Sequence, residues 1–396
     1  MRVAKRSPKV TPVDAKQNNY TKKSVSAIKC VKSQIFAALI FGINRYYLLK
    51  SNRTSLIFSY VYSLTIVCLA LYNMYRSETI SIAHFVFKYT LCVEYAFIVL
   101  ISLFARKKTL ITFFKDLNKF DETLNLSNDL KVIDAGYVCF SWVFGCIVYS
   151  AIEYTLLYIF LTLFLDDTVY SFYLMMLIHD YEQIMFFMLL RNIYLRLRIL
   201  KAHVSKLFSS ENRIGNYREK LSKVEELSNN ARLDISSLHR VYDLLHKCSE
   251  QLNSAMSLPM TIILLTAGLS TTMILKMMVT VIQTVTTSNF GRSTIVYLFS
   301  RSMKYTVLVV MSCYYSSVTS KQVTAIRTLL HDAVHSYPME KIERRKVKAF
   351  FQLTRENEFV YALGGVIRLN MSLPLSYMSL CTTYLVISIQ FSKFFD

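Results

Sequence analysis

In stretches that are otherwise apolar, and in the halves that the charge bias read below turns outward, lie six ionisable residues: Lys88, Glu153, Asp180, Glu182, Arg301 and Lys304. A charge in such a stretch is expensive, and it persists where it pairs with another charge or meets a polar ligand. Tyrosines accompany these charges, namely Tyr154, Tyr158, Tyr170, Tyr173, Tyr297 and Tyr305. The mixture suits a small-molecule pocket with an apolar wall and a few orienting polar groups. Two readings stand open at each charge: contact with a ligand, or mutual pairing that only holds helices together. Glu153, Tyr154, Tyr173, Asp180, Tyr297 and Arg301 are the candidate ligand-binding residues.

Covalent chemistry has no comparable constellation. No nucleophile, base and orienting acid fall together, and no Gly-rich phosphate loop occurs. His331 and His335 stand four apart in HDAVH, a spacing that can hold a metal, but the HExxH glutamate and a further nearby ligand are missing. The eight cysteines form no CxxC pair, and most lie in apolar runs, where they read as small buried hydrophobes. No metal, cofactor or enzymatic activity is expected. Gly364-Gly365 reads as a helix end or hinge.

The elements that carry these residues follow from composition. The 396 residues are 53% hydrophobic, with positive mean hydropathy, too apolar for a soluble domain of this size. Few Gly and Pro favour long helices over a membrane β-barrel. A hydrocarbon core of about 30 Å takes about 20 apolar helical residues. Seven stretches qualify: 55–75, 82–105, 137–164, 169–195, 257–285, 294–318 and 372–395. The apolar run 34–43 is too short to span and reads as interfacial or re-entrant, and no cleavable signal peptide is visible.

Of 46 Lys and Arg, 39 fall in residues 1–54, between the second and third spans, in 191–255 and in 319–370. The positive-inside rule therefore puts the N-terminus in the cytosol and, after seven crossings, the C-terminus outside. The net charge of +20 thus reflects topology rather than a nucleic-acid surface. A G-protein-coupled receptor has the opposite orientation, and neither its Asp-Arg-Tyr nor its NPxxY motif is found. Residues 196–255 and 319–360 are charged but carry apolar residues at helical spacing, as amphipathic helices with partners do.

The most specific pattern is TYLVISIQF at 383–391, preceded by ALGGVIRLNMSLPLSY at 362–377. It resembles the final-helix signature of insect gustatory receptors, and the length, seven spans, cytosolic N-terminus and short C-terminus are similar to that family throughout. The resemblance implies an all-α membrane protein forming a homo- or heterotetramer, a ligand-gated, weakly selective cation channel in the plasma membrane of gustatory sensory neurons. Its implied partners are a small-molecule tastant, like or related subunits, membrane lipid and permeating cations, with no nucleic acid.

It divides the chain into a cytosolic N-terminal region (1–54), spans one to four (55–195), cytosolic extensions (196–255), spans five and six (256–318), cytosolic anchor helices (319–370) and a pore-lining seventh span with a short extracellular tail (371–396). Thr383, Ile387, Gln390 and Phe391 share one stripe of that last helix and are the candidate pore and gate residues. An amide facing lipid is costly, whereas Gln390 around a symmetry axis bonds its copies or water, and a ring of Phe391 blocks ions by dewetting. Leu385 stands where sugar receptors of the family carry Glu, which favours a bitter-type plant compound. The alternatives are an insect odorant receptor channel and, less favoured for lack of internal repeats, a transporter. The topology makes a direct prediction: the sequon at Asn125 lies in the cytosol and stays unglycosylated, so a glycosidase-sensitive mobility shift that vanishes in Asn125→Gln would reverse it.

Overall fold

The computed structural model describes residues 27–49, 53–76, 82–104, 107–124, 135–161, 169–209, 234–284, 289–336 and 339–395. Within them run α1 (Ala27–Ile40), α2 (Arg53–Arg76), α3 (Ile82–Phe104), α4 (Lys107–Thr123), α5 (Ala135–Leu161), α6 (Val169–Ser209), α7 (Ile235–Thr284), α8 (Asn289–Ser336), α9 (Lys341–Glu356), β1 (Ala362–Leu363), β2 (Ile367–Arg368) and α10 (Ser372–Phe395). Helices account for all seven apolar stretches: α2, α3, α5, the first part of α6, the second part of α7, the first part of α8, and α10.

Taken alone, length and composition qualify only α2 and α7 as spans among the described residues, with a third if α3 and α4 are joined across their 67° bend. The polar residues inside α6 and α8 lower their hydropathy, and those residues are the ones that pair in the interior. The outward faces are apolar. Phe58, Phe104, Leu265 and Phe299 are each more than half exposed, as side chains that face lipid would be.

α6 is the axis of the bundle. Every residue from 178 to 190 is buried, so His179, Asp180, Glu182 and Gln183 within it depend on partners from neighbouring helices or the same turn. The 41 residues of α6, 50 of α7 and 48 of α8 make rods of about 60–75 Å at 1.5 Å per residue. Each therefore extends well past a bilayer core, and the sequence borders at 195/196, 255/256 and 318/319 fall inside unbroken helices. The amphipathic α9 fills the groove between the extensions of α7 and α8. Its Phe350 meets Tyr242 edge-on at 5.7 Å, and Phe359 meets the same ring at 5.6 Å. Tyr242 donates to the Asn357 carbonyl at 2.7 Å and Arg327 to the Thr354 carbonyl at 2.8 Å. Burial pushes the Cys248 thiol in this region up to about 12, which keeps it neutral.

α4 lays Leu110, Phe113, Phe114, Leu117 and Phe120 against this part of the molecule. Its Asp121 receives both Nε and Nη2 of Arg196 on α6 at 2.8 and 2.7 Å, a bidentate pair that is almost fully buried.

Gly364-Gly365 turns out to be the tip of an antiparallel hairpin, Ala362 opposite Arg368 and Leu363 opposite Ile367. Both glycines have positive φ, +58° and +76°, which a turn this tight demands and a helix end needs only once. The pair is too short to be read from sequence as strands.

The 34–43 run is the end of α1 and its turn, tucked into the bundle. Ile43 N donates to Ala38 O and Gly42 N to Leu39 O, the double bond of a Schellman cap, with Gly42 at φ +85°. The turn delivers Asn44 to Ser59 and Ser102, and Arg45 to Glu182 at 2.6 Å. A Cβ at Gly42 would stand 3.1 Å from the Tyr95 hydroxyl. Gly42→Ala is therefore expected to cost about 1–3 kcal/mol in thermal stability of the detergent-solubilised protein. Gly145→Ala, which meets open space at an ordinary helical position, serves as control and should be neutral or stabilising. Equal melting of the two variants would remove the constraint at Gly42.

Candidate functional site

α5, α6 and α8 each direct charge to one point in the interior. Glu153 of α5 and Asp180 of α6 are both essentially sealed from solvent, and Arg301 and Lys304 of α8 lie between them. Glu153 Oε2 receives Arg301 Nη1 at 3.0 Å and Lys304 Nζ at 2.6 Å. Asp180 Oδ2 receives Lys304 Nζ at 2.7 Å and Arg301 Nη1 at 3.5 Å. Two anions and two cations cancel, so the quartet is neutral as a unit. Three helices that each carry an uncompensated charge are thereby joined where water is excluded, and the mutual attraction offsets the cost of desolvation.

Tyr305 extends the quartet. Its hydroxyl receives Arg301 Nη2 at 2.8 Å, one helical turn away, and its ring lies 4.6 Å from the guanidinium. On its other side the ring meets His179 edge-on at 4.9 Å. His179 Nδ1 is 2.5 Å from Glu94 of α3 and its Nε2 2.9 Å from Gln183. Lys304 also lies 5.3 Å over the Tyr149 ring and 3.4 Å from Ser150 Oγ. The polar interior thus runs from α3 through α6 and α8 to α5.

Tyr297, Arg301 and Tyr305 form a stripe on α8 at intervals of four. Tyr297 is half-buried in a small apolar cluster with Ile274, Met278, Leu298 and Tyr305, separate from the main core. Of the six candidate ligand residues, Glu153, Asp180 and Arg301 meet in the quartet and Tyr297 borders it. Tyr154 and Tyr173 lie on α5 and α6, but their side chains fall outside the described residues, as does that of Lys88.

Glu182 is only two residues from Asp180 and faces elsewhere, onto Arg45. Two residues on a helix are 200° apart, so adjacent acids in the sequence serve different partners. Sequence reasoning omitted Glu94, His179, Gln183, Tyr149 and Ser150 from the site. The rule that selected Lys88, an ionisable group in an apolar run, also applies to Glu94, whereas Tyr149 and Ser150 give no signal without the fold.

The pore candidates lie on α10. Pro374 and Cys381 of that helix are buried against the bundle, and Tyr377 is half-buried. Thr383, Ile387 and Gln390 are exposed on the opposite side, and the Phe391 side chain is outside the described residues. His331 and His335 sit exposed on the far part of α8, rings 4.6 Å apart, and among the described residues no group of three or more His, Cys, Asp or Glu is arranged to hold a metal. A cleft of about 210 Å³ between α4 and α7 is lined by Lys119, Thr123, Arg240, Val241, Asp243, Leu244 and Lys247. It is remote from the quartet, and Lys247 and Asp243 close on each other within it at 2.7 Å.

The sequence matches the model of the 7tm chemosensory receptor family over residues 32–395. No significant match is found among curated proteins. Among solved structures the chain is similar to the insect olfactory receptor OR5 from Machilis hrabei, with a TM-score of 0.63 at 14% identity, covering 91% of this chain and 98% of that one. The same receptor in complex with eugenol matches with a TM-score of 0.59 over the same shares. At this identity the likeness establishes a shared fold.

The neutral balance of the quartet makes a test. Arg301→Met leaves two buried carboxylates on one lysine and should cost about 3–5 kcal/mol, read as reduced surface abundance and earlier melting. Adding Glu153→Gln restores one anion to one cation and should recover most of the loss. A double variant no better than the single would show that charge balance does not hold these helices.

Proposed function

This chain belongs to the 7tm chemosensory receptor family, and on that premise we propose that it is a ligand-gated, weakly selective cation channel opened by a small-molecule tastant. Four like or related subunits surround a pore lined by α10. The N-terminus and the α6, α7, α8 and α9 extensions lie in the cytosol, where they anchor the assembly, and the C-terminus lies outside. The setting is the plasma membrane of gustatory sensory neurons.

The observation that carries the pore is the two-sidedness of α10. One side packs on the bundle through Pro374, Tyr377 and Cys381. The other presents Thr383, Ile387 and the Gln390 amide, which lipid penalises and a water-filled symmetry axis accepts. Phe391 next to Gln390 supplies the apolar constriction.

The ligand enters the outer half of the bundle, beside Tyr154, Tyr173 and Tyr297. Glu153, Asp180 and Arg301 form the polar floor of that pocket. Because the quartet is neutral, it accepts a neutral polar group more readily than a charge that would have to displace a partner. A neutral aromatic plant compound fits this floor, and a relative of the same fold is known with eugenol bound. Leu385 in the Glu position of the sugar-receptor pattern favours a bitter-type ligand. A second reading, an odorant receptor channel, draws on the likeness to OR5, while the intact TY…QF pattern favours taste.

Expression in oocytes without added G proteins tests the proposal, with current recorded under eugenol, plant alkaloids and sugars. Prompt cation current that survives G-protein blockade is expected, and Phe391→Ala should raise the ligand-free current severalfold by wetting the constriction. Current that disappears with G-protein blockade would instead make the protein a metabotropic receptor.

A further inference from the structure

α10 is attached to its own subunit unevenly. Its base is clamped. The hairpin before it sits on α7, where Gly364 N donates to Ser257 Oγ at 2.8 Å and Ala362 N to Asn253 Oδ1 at 3.2 Å. Ser316 of α8 donates to the Leu369 carbonyl at 2.6 Å. Asn370 then caps the helix, receiving Leu373 N at 3.1 Å and the Ser372 hydroxyl at 2.6 Å.

Higher up, α10 meets α7 at a contact of a different kind. The Tyr377 ring lies over Gly268, where a Cβ would stand in van der Waals contact with it, 3.4 Å from Cε2. The Tyr377 hydroxyl is 3.3 Å from Thr271 Oγ1. Cys381, one turn further on, is also buried, and no residue from 382 to 387 is. From Thr382 outward, Thr382, Thr383, Tyr384, Val386 and Ile387 are exposed, and among the described residues no hydrogen bond ties this segment to another helix.

The same part of α7 faces the candidate pocket. Ile274, three residues beyond Thr271, and Met278 belong to the apolar cluster of Tyr297, Leu298 and Tyr305 beside the quartet. One turn of one helix therefore touches both the pocket and the pore-lining helix.

We propose that Tyr377 is the positioning residue through which α7 sets the pore-lining helix, its ring seated on Gly268 and its hydroxyl on Thr271. The inference rests on the channel reading above. A displacement of α7 at Ile274 carries Gly268 and Thr271 with it, because they share a rigid helix. Tyr377 rides on both, and the segment from Thr382 to Gln390 follows as a lever while the hairpin keeps the base fixed. Packed contacts of this kind switch between discrete arrangements rather than deform smoothly. Gly268 matters because a Cβ there already touches the ring, so a bulky side chain such as leucine competes with it for the same space.

The experiment uses the full chain in oocytes and reads two quantities. The first is ligand-free and eugenol- or quinine-evoked current, normalised to surface abundance. The second is the rate at which an impermeant thiol reagent labels Ile387→Cys, above the background without that cysteine. Tyr377→Phe and Thr271→Val each remove half of the hydroxyl pair and keep the packing.

Each is expected to shift ligand-free current or half-maximal ligand concentration by about fivefold, equivalent to about 1 kcal/mol, in the same direction. The labelling rate should shift alongside at unchanged surface abundance, and the double variant should go no further than either single one. Gly268→Leu should shift labelling at least as far. Shifts under twofold in both quantities, or shifts that add in the double variant, overturn the joint while wild-type current leaves the channel reading standing. A wild type with no current and no labelling of Ile387→Cys overturns the channel reading and the joint with it.

Discussion

Everything in this fold answers to the requirement that charge inside an apolar bundle be matched. Glu153, Asp180, Arg301 and Lys304 are supplied by three helices, and burying any one of them without the others is costly. Hydrophobic matching does not distinguish one lipid-compatible helix from another, because lipid is as apolar as leucine. The quartet does. It fixes which faces of α5, α6 and α8 turn inward, and through Tyr305 and His179 it draws in Glu94 of α3. Arg45 with Glu182 and Arg196 with Asp121 repeat the device at other depths, each joining a peripheral segment to the central α6.

The repetition explains why α6 is sealed from residue 178 to 190 while its neighbours expose large apolar side chains. Asp180 turns one face to the quartet, and Glu182 and Arg196, about four turns apart along the opposite face, take Arg45 and Asp121, so segments gather on both sides. α1 and its turn bring Arg45, α4 brings Asp121, and α5 and α8 bring the quartet. Around Tyr242, aromatic packing of Phe350 and Phe359 holds the extensions together, and the ion pairs there, such as Arg327 with Glu358, are more exposed. The long helices join the quartet to this aromatic cluster without a break, and a shift at one end therefore has a rigid route to the other.

The apolar periods of the spans, the charge bias of the connections and the final-helix pattern made the helical membrane architecture readable from sequence. Glu153, Asp180 and Arg301 were also readable, because an isolated charge in an apolar run always asks for an explanation. Their meeting was not readable. Asp180 and Glu182 look alike in sequence, and only the helical rotation between them separates a quartet member from a partner of Arg45. His179 is a lone histidine until α3 places Glu94 beside it. The hairpin at Gly364-Gly365 is beneath the length at which alternation gives a signal, and its strands exist because Asn253 and Ser257 of α7 satisfy their backbone. What sequence omits here is long-range pairing, which local pattern does not encode.

α10 is the element whose surroundings a single chain leaves incomplete. A helix in the interior of a membrane protein hides its polar atoms, and one facing lipid hides none because it has none. α10 does neither, for Thr383 and Gln390 lie on the side away from the bundle, among exposed Leu380, Tyr384, Val386 and Ile387. Thr383 satisfies its own hydroxyl on the Ser379 carbonyl at 2.9 Å, a bond that costs nothing in lipid. The Gln390 amide has no such internal solution, since its two donors and two lone pairs exceed what one turn of saturated helix can satisfy. The chemistry of that face is therefore complete only with water or with further copies of the amide beside it. In the channel proposed above, symmetry supplies both at once, because copies brought around an axis enclose a pore whose wall is this stripe. In that reading, the hydrogen-bonded base of the helix and the exposed stretch 382–387 allow the wall to move without loosening the bundle behind it.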